Sequence, residues 1–459
     1  MQFTVKVEWQ QNDGSIASSS VATIDLEACQ SAADVGLKLV EGKCILSRLE
    51  QIVVDEQLRR YCEAKQTCPA CGRHRNLKDN RMRKFYTVFG KLSVKAPRFD
   101  GRCGCGVGRT VSPLSELLPE RLSPELCNLQ IKLATLLPYR KASAILRDLL
   151  PDTGGLSHET TRNRTLAVGK RIEQELCDEV DAPQPIVEPA PQMVVGIDGA
   201  FVNAVRTKSR ERHQFEILTG RIETTQRGGE TFAVVRDLDR AKQKVQAVLR
   251  RCGRDAKKTE LTILSDGEDG LRGVVGWFGK TCKHRLDWFH ISRRIEQIRR
   301  DFLYLPSADG ADFGKDFANH CANLDSMKWM LWNDGIEMAD IGMATVHAGL
   351  LQHAWACPQD KSQPFIRIEA KLRELRSYLY ANRERVASYA ESFRNKARVS
   401  TAHVESTVNQ LINWRMCKKH QMAWTRAGAQ YLLHVKATAI NGKLDRYTGH
   451  QPRPLSVAA

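Results

Sequence analysis

Beyond residue 193 the order of apolar runs leaves few folds open. "MVVGIDGAFVNAV" reads as a strand interrupted at Asp198-Gly199, and "HQFEILTGRIET" and "TFAVVRDL" as two more. All three are rich in β-branched residues over strand-like lengths. "RAKQKVQAVLRRCG" has the three- and four-residue apolar spacing of an amphipathic helix. "LTILSD" is a fourth strand ending at Asp266, "GLRGVVGWFGK" a short helix, and "KHRLDWFHI" a fifth strand. Strands that alternate with helices in this way build an α/β sheet.

Three strands, a helix, a strand, a helix and a strand is the order of the ribonuclease-H-like core. There the first and fourth strands are neighbours, so Asp198 and Asp266 are expected to converge. Two carboxylates at one sheet end repel each other unless a cation joins them. Their hard oxygens suit Mg²⁺ or Mn²⁺, which keep coordination sites for water and a substrate phosphate. A third carboxylate is expected from a helix on the same sheet edge. "STAHVESTVNQLINWRMCKKH" supplies Glu405, followed by the basic cluster Arg415, Lys418, Lys419 and His420, of which Arg415, Lys418 and Lys419 are expected to contact DNA. Alternatives remain at this point. Asp-Gly is a common turn pair, so Asp198 fits a turn as well. Glu268 and Asp269 compete with Asp266, and Glu369, Glu374 and Glu391 compete with Glu405. The 139 positions between Asp266 and Glu405 read as a largely helical insertion over 301–400. Its Trp329, Trp332 and Trp355 are expected in core packing before base stacking.

A chain of 459 residues exceeds one core, and several domains follow. Two strands and a helix fill 1–64. Residues 65–115 form a zinc-ribbon-like segment: Cys68 and Cys71 make a C-x2-C knuckle, Cys103 and Cys105 a C-x-C pair, and a strand hairpin lies between them. Two thiol pairs bracketing a hairpin match a structural Zn²⁺ site, with His74 as a possible substitute ligand. Residues 116–180 read as helices. Ser123 and Pro124 open one, Pro151 closes the next, and a Gly-rich turn leads to a third beginning at Ser157. The pattern is helix-turn-helix-like, and Thr161, Arg162 and Arg164 are then expected to face DNA. "DAPQPIVEPAPQ", 181–192, carries four of the sixteen prolines and is expected to be a linker and domain boundary. The first part of the core occupies 193–300, the insertion 301–400, and the last part of the core with its catalytic helix and a tail 401–459.

The formal net charge is +17, and residues 59–112 alone hold 14 Lys/Arg against 3 Asp/Glu. Basic charge concentrated in this way points to a polyanion, most simply DNA. No apolar run reaches the ~18 residues of a membrane span, and the N-terminus lacks a signal peptide's pattern, so no membrane partner and a cytoplasmic location are expected.

"GIDGAF", "LSDGEDG", "LDWFHI" and "HVESTVNQLINWRMCKKHQMAWTRAGAQYLL" resemble bacterial DDE insertion-sequence transposases of the ISKra type, relatives of the Mutator-like transposases. The resemblance covers about 190–445 and extends to the cysteine-bearing segment and the "LPYRKA" helices. It implies that Asp198, Asp266 and Glu405 are the catalytic triad holding two Mg²⁺ or Mn²⁺ ions, with Asp287 and His290 of "DWFH" beside them. It further implies an enzyme that binds terminal inverted repeats, cleaves DNA 3′ ends and joins them to target DNA as a homodimer or larger assembly, in association with the nucleoid. A nuclease of the same fold without strand transfer, and a non-catalytic DNA-binding regulator, are the competing readings.

Overall fold

The computed structural model describes residues 2–11, 13–25, 30–103, 105, 110–150, 155–186, 188–205, 214–224, 229–267, 269–279, 281–306, 313–357, 363–386, 388–395, 398–400, 406, 409–413, 415–417 and 422–451. The chain forms two compact units, Met1–Arg171 with Gly442–Ala459, and Ile172–Asn441.

In the first unit β1 (Gln2–Gln10) and β2 (Ile16–Asp25) pair as a hairpin, followed by the long helix α1 (Leu39–Ala64). A second antiparallel sheet holds β3 (Leu77–Thr87), β4 (Gly90–Asp100) and the short β5 (Thr110–Val111). Alternation in β4 points Leu92, Val94 and Ala96 inward, where Leu58 and Cys62 of α1 cover them. Four more helices follow: α2 (Pro113–Leu117), α3 (Pro124–Leu136), α4 (Tyr139–Leu149) and α5 (His158–Asp181). Ser123 caps α3 by accepting the Leu126 N–H at 3.2 Å, with Pro124 in the first turn where its missing N–H costs nothing.

The second unit is built on a five-stranded sheet. Its strands are β6 (Gln192–Asn203), β7 (Gln214–Thr224), β8 (Glu230–Val235), β9 (Glu260–Ser265) and β10 (Lys283–Leu286), in the spatial order β10-β9-β6-β7-β8. β6 is antiparallel to β7 and β7 to β8, whereas β6, β9 and β10 run parallel. Helix α6 (Ala241–Arg251) crosses from β8 to β9, and α7 (Asp269–Val275) lies between β9 and β10. Alternation splits the strands between two cores. Met193, Val195, Ile197, Leu261 and Ile263 face Val245, Val248 and Leu249 of α6. Val202, Phe215, Ile217, Ala233 and Val235 face Ala429, Leu432 and Leu433 of a C-terminal helix, Arg426–Ile440. Each buried leucine contributes about 1.5–3 kcal/mol to that second face. The outer edge of β8 is sealed by side-chain amides. Gln430 accepts from Val235 N at 2.7 Å and donates to the Ala233 carbonyl, and Asn441 does the same to both backbone groups of Thr231. An open edge would otherwise offer those groups to another strand.

After β10 come α8 (Trp288–Asp301), α9 (Phe313–Asp334), α10 (Ile336–Trp355), α11 (Gln363–Ala381) and α12 (Tyr389–Arg394), packed around a common apolar core that includes Leu286 at the end of β10. The helix Arg426–Ile440 is α13.

Several expectations need correction. β6 is not interrupted at Asp198-Gly199: its ladder with β7 runs unbroken from Met193↔Thr224 to Asn203↔Gln214. Eleven consecutive pairings outweigh the local turn preference of Asp-Gly. The fifth strand stops at Leu286, and "DWFHI" starts α8, because the Asp287 carboxylate caps that helix. The units divide inside α5 and ahead of the Pro-rich stretch, since the second half of α5 buries Leu176 in the second unit's core. Of the three tryptophans only Trp332 packs in the core. Trp329 and Trp355 are 63% and 85% exposed, on helix faces that no described element covers.

Candidate active site

Three aspartates stand just past the last pairs of the parallel ladders. Gly196 pairs with Leu264, and two residues further along each strand stand Asp198 and Asp266. Leu286 pairs with Ser265, so Asp287 follows in line beside Asp266. Adjacent strands lie about 4.8 Å apart, which sets the backbone spacing of this row. Asp198 and Asp266 have the parity of Ala200, Val202 and Leu264, so both belong to the sheet face covered by α13 and not to the α6 face. The carboxyl ends of parallel strands, where no further ladder partner follows, are where open α/β sheets place their ligand sites.

Local chemistry holds the row in shape. Asp198 Oδ1 accepts the Gly199 N–H at 2.8 Å, and the Thr219 hydroxyl donates to the Asp198 carbonyl at 3.1 Å. After Asp266 the chain turns through Gly267 at φ +77°, where a Cβ would stand 2.6 Å from both Asn382 Oδ1 and Leu286 Cδ1. Only glycine fits there. The Gly267 N–H donates to Ser265 Oγ, which lies 2.8 Å from His284 Nε2, and the Asp287 N–H donates to the Ser265 carbonyl at 2.9 Å. Asp287 is fully buried: one carboxylate oxygen accepts the Phe289 N–H at 2.9 Å, and the other lies 3.6 Å from His290 Nε2. It therefore caps α8, worth about 1 kcal/mol, and lies beside His290.

Sequence reasoning missed the support from α11 and α12. The Tyr378 hydroxyl donates to the Asp266 carbonyl at 2.6 Å, and the Tyr389 hydroxyl to the Leu286 carbonyl at 3.1 Å. Burial, and then the charges of Asp266 and Asp287, push the Tyr378 phenol's pKa up despite the opposing Arg294 guanidinium, so it stays a donor at neutral pH. These contacts span 112 and 103 residues, and nothing in the local pattern of the helices marks them.

Of the remaining predicted residues, Glu405, Lys418, Lys419 and His420 lie outside the described residues, as does Glu268. Among the competing acids, Glu374 pairs with Arg294 and Glu369 with Arg373 on the bundle surface. Arg415 corrects an expectation. It is fully buried, 5.3 Å from the Trp424 ring centroid and 3.1 Å from Met422 Sδ, and so offers nothing to DNA.

The four predicted thiols do meet. Sulfurs about 2.3 Å from a zinc ion in a tetrahedron stand roughly 3.8 Å apart. The Cys68 and Cys103 sulfurs are 3.6 Å apart, and the ligand atoms of Cys68, Cys71, Cys103 and Cys105 all lie within 4.8 Å of one another. Backbone N–H groups of Ala70 and Cys71 lower the Cys68 pKa to about 6, while hydrogen bonding with Cys71 and Cys103 pushes Cys105 up to about 12. The quartet could hold a structural zinc; His74 is exposed and stands outside it.

In the helical segment the three candidate DNA contacts separate. Thr161 is fully buried, its hydroxyl accepting from Gln130 at 2.6 Å and meeting Ser143 at 3.0 Å. Arg164 is half-buried and bonded to Gln130 Oε1 and the Gly155 carbonyl, with burial drawing its pKa down. Both hold α3, α4 and α5 together, because on α5 a polar residue every third or fourth position falls on the buried face. Arg162 alone is exposed. No helix among the described residues is long and apolar enough to cross a membrane.

No protein-family model and no curated protein matches the chain. Among solved structures it is similar to the Drosophila P element transposase strand transfer complex, at 12% identity and a TM-score of 0.33, over 70% of this chain and 93% of that one.

Proposed function

We propose that the chain is a DDE-type transposase, a metal-dependent DNA phosphoryl transferase with a ribonuclease-H-like core. The observation that carries this reading is that Asp198, Asp266 and Asp287 stand one or two residues past the last pairs of three adjacent parallel strands. The strand order β10-β9-β6-β7-β8, with β7 antiparallel, supports it. So does the resemblance of "GIDGAF", "LSDGEDG" and "LDWFHI" to the transposase motifs.

The donor set fits a hard divalent cation. Two carboxylates on the same sheet face bring oxygen ligands and net negative charge, which suits Mg²⁺ or Mn²⁺. Such ions, when bound, lower the pKa of water and neutralise charge on a departing 3′ oxygen. Asp198 and Asp266 would hold them, with Glu405 as the third ligand implied by the resemblance. His290, beside Asp287, would hydrogen-bond the scissile phosphate or its attacking water. Water adds to phosphorus as the P–O3′ bond breaks, and the freed 3′-OH then attacks a target phosphodiester. The number of phosphodiester bonds is conserved in that second step, and no covalent protein intermediate forms. Arg162 and the basic stretch 59–112 supply phosphate contacts for end recognition, with the cysteine quartet fixing the hairpin that carries much of that charge. Two ends must be paired before joining, so the active species is an oligomer on DNA, most simply a homodimer.

The test is direct. The purified chain, incubated with DNA flanking its own coding region and Mg²⁺, should release 3′-OH ends and join pre-cleaved ends to a plasmid. Asp198→Asn and Asp266→Asn should each abolish both steps while still binding that DNA. Cleavage without joining would make the protein a nuclease. Binding with no Mg²⁺-dependent nicking would make it a regulator. Full cleavage by either variant would refute the metal assignment.

A further inference from the structure

The insertion between the fifth strand and the end of the core has an unexplained feature. Two tyrosines from it reach back to the backbone of the aspartate row. Tyr378 on α11 donates to the carbonyl of Asp266, and Tyr389 at the start of α12 donates to the carbonyl of Leu286, one residue before Asp287. At the end of a ladder, as at Asp266, and on the open side of an edge strand, as at Leu286, a buried backbone carbonyl must find a donor outside the sheet. Here the donors come from helices more than a hundred residues downstream.

Each tyrosine is itself held. The Arg294 guanidinium lies 4.3 Å from the Tyr378 ring centroid and is anchored by Glu374 at 2.8 Å. One turn on, Asn382 donates to the Tyr378 carbonyl at 3.0 Å, accepts from Arg385 at 2.9 Å, and closes over Gly267 where no side chain fits. Tyr389 is 1% exposed and wedged against Trp288 and Trp332, with ring centroids 4.8 and 5.9 Å away. A surface appendage would not need hydroxyls aimed at these two carbonyls.

Resting on the metal-dependent reading above, we infer that Tyr378 and Tyr389 are positioning residues through which the helical insertion sets the spacing of Asp266 and Asp287 and so tunes the affinity of the carboxylate row for its divalent ion. The insertion is then a working part of the site. Its folding becomes a condition of metal binding.

The experiment uses the full chain carrying Tyr378→Phe, Tyr389→Phe or, as a control on the same helix, Tyr380→Phe, whose hydroxyl bonds Asp340 at 2.8 Å on an exposed face. Each change removes one oxygen and keeps the ring. Mn²⁺ binding is followed by electron paramagnetic resonance, and exchange of the Gly267 and Asp287 amides by hydrogen–deuterium mass spectrometry. One lost hydrogen bond of ~1 kcal/mol corresponds to roughly a fivefold change. Tyr378→Phe should weaken Mn²⁺ binding by about that factor and speed both amides, with Tyr389→Phe acting mainly on Asp287 and Tyr380→Phe changing neither. Equal behaviour of Tyr378→Phe and Tyr380→Phe in both measurements would overturn the inference. Mn²⁺ binding that survives Asp266→Asn would instead overturn the metal reading, and amide exchange would still decide whether the tyrosines position the row.

Discussion

Gly267 offers the sharpest quantitative test of how the candidate site is built. It follows Asp266, adopts φ +77°, and leaves a Cβ no room: Asn382 Oδ1 and Leu286 Cδ1 would both be 2.6 Å away. Placing an L-residue in the left-handed region costs about 1–2 kcal/mol. Forcing a methyl against packed neighbours costs about 1–3 kcal/mol more. Restricting the unfolded chain returns about 0.4–1 kcal/mol. Gly267→Ala should therefore destabilise the second unit by about 2–4 kcal/mol. Three residues on, Gly270 lies in α7, and a Cβ there meets nothing nearer than Arg236 NH1 at 3.9 Å. Gly270→Ala should be neutral or stabilising by up to about 1 kcal/mol through helix propensity. Seven of the eight tryptophans lie within Ile172–Asn441, so urea unfolding of the full chain followed by tryptophan fluorescence reads that unit. Opposite signs for the two alanines are expected. A Gly267→Ala midpoint within experimental error of the wild type would show that the Asp266 loop is free to re-form elsewhere, and the geometry argued for the carboxylate row would fail with it.

Two further outcomes follow from other parts of the molecule. The purified chain should carry one zinc per cysteine quartet, lost together with protection of the β3–β4 hairpin in Cys71→Ser or under strong chelation; full occupancy in the variant, measured by elemental analysis, would remove the site. Glu173 on α5 is bonded to His434 and Lys244, and although burial opposes it these partners hold its carboxyl at about 2 against an ordinary 4.5. The ionised carboxylate thus stabilises the fold by on the order of 3 kcal/mol at pH values above 4.5, and that contribution drains away as the pH falls toward 2. The stability gap between wild type and Glu173→Gln should be widest near pH 7 and narrow from about pH 4.5 down to about 2; a gap independent of pH would mean that the three side chains are not coupled in this way.

Much was legible from residues alone because it depends on local periodicity. Alternation and β-branching mark β6 to β10, three- and four-residue spacing marks α6 and the insertion helices, and the pairs at Cys68/Cys71 and Cys103/Cys105 announce their own meeting because a hairpin returns one to the other. The pairing of the first and fourth strands of the core could be expected from the order of the elements, and the ladder of β6 with β9 has it. What local pattern cannot carry is which face of a helix its neighbours will cover. Thr161, Arg164 and Arg415 looked like DNA contacts by composition, and the packing of α3 against α5 and of Trp424 over Arg415 turned them inward. The same limit hid Tyr378 and Tyr389, since a hydroxyl's partner 112 or 103 residues away is a backbone carbonyl and every residue type has one. The type of each element was written into its own side chains; their assignment to protein, metal or DNA was decided only when distant segments competed for the same donors and the same buried volume.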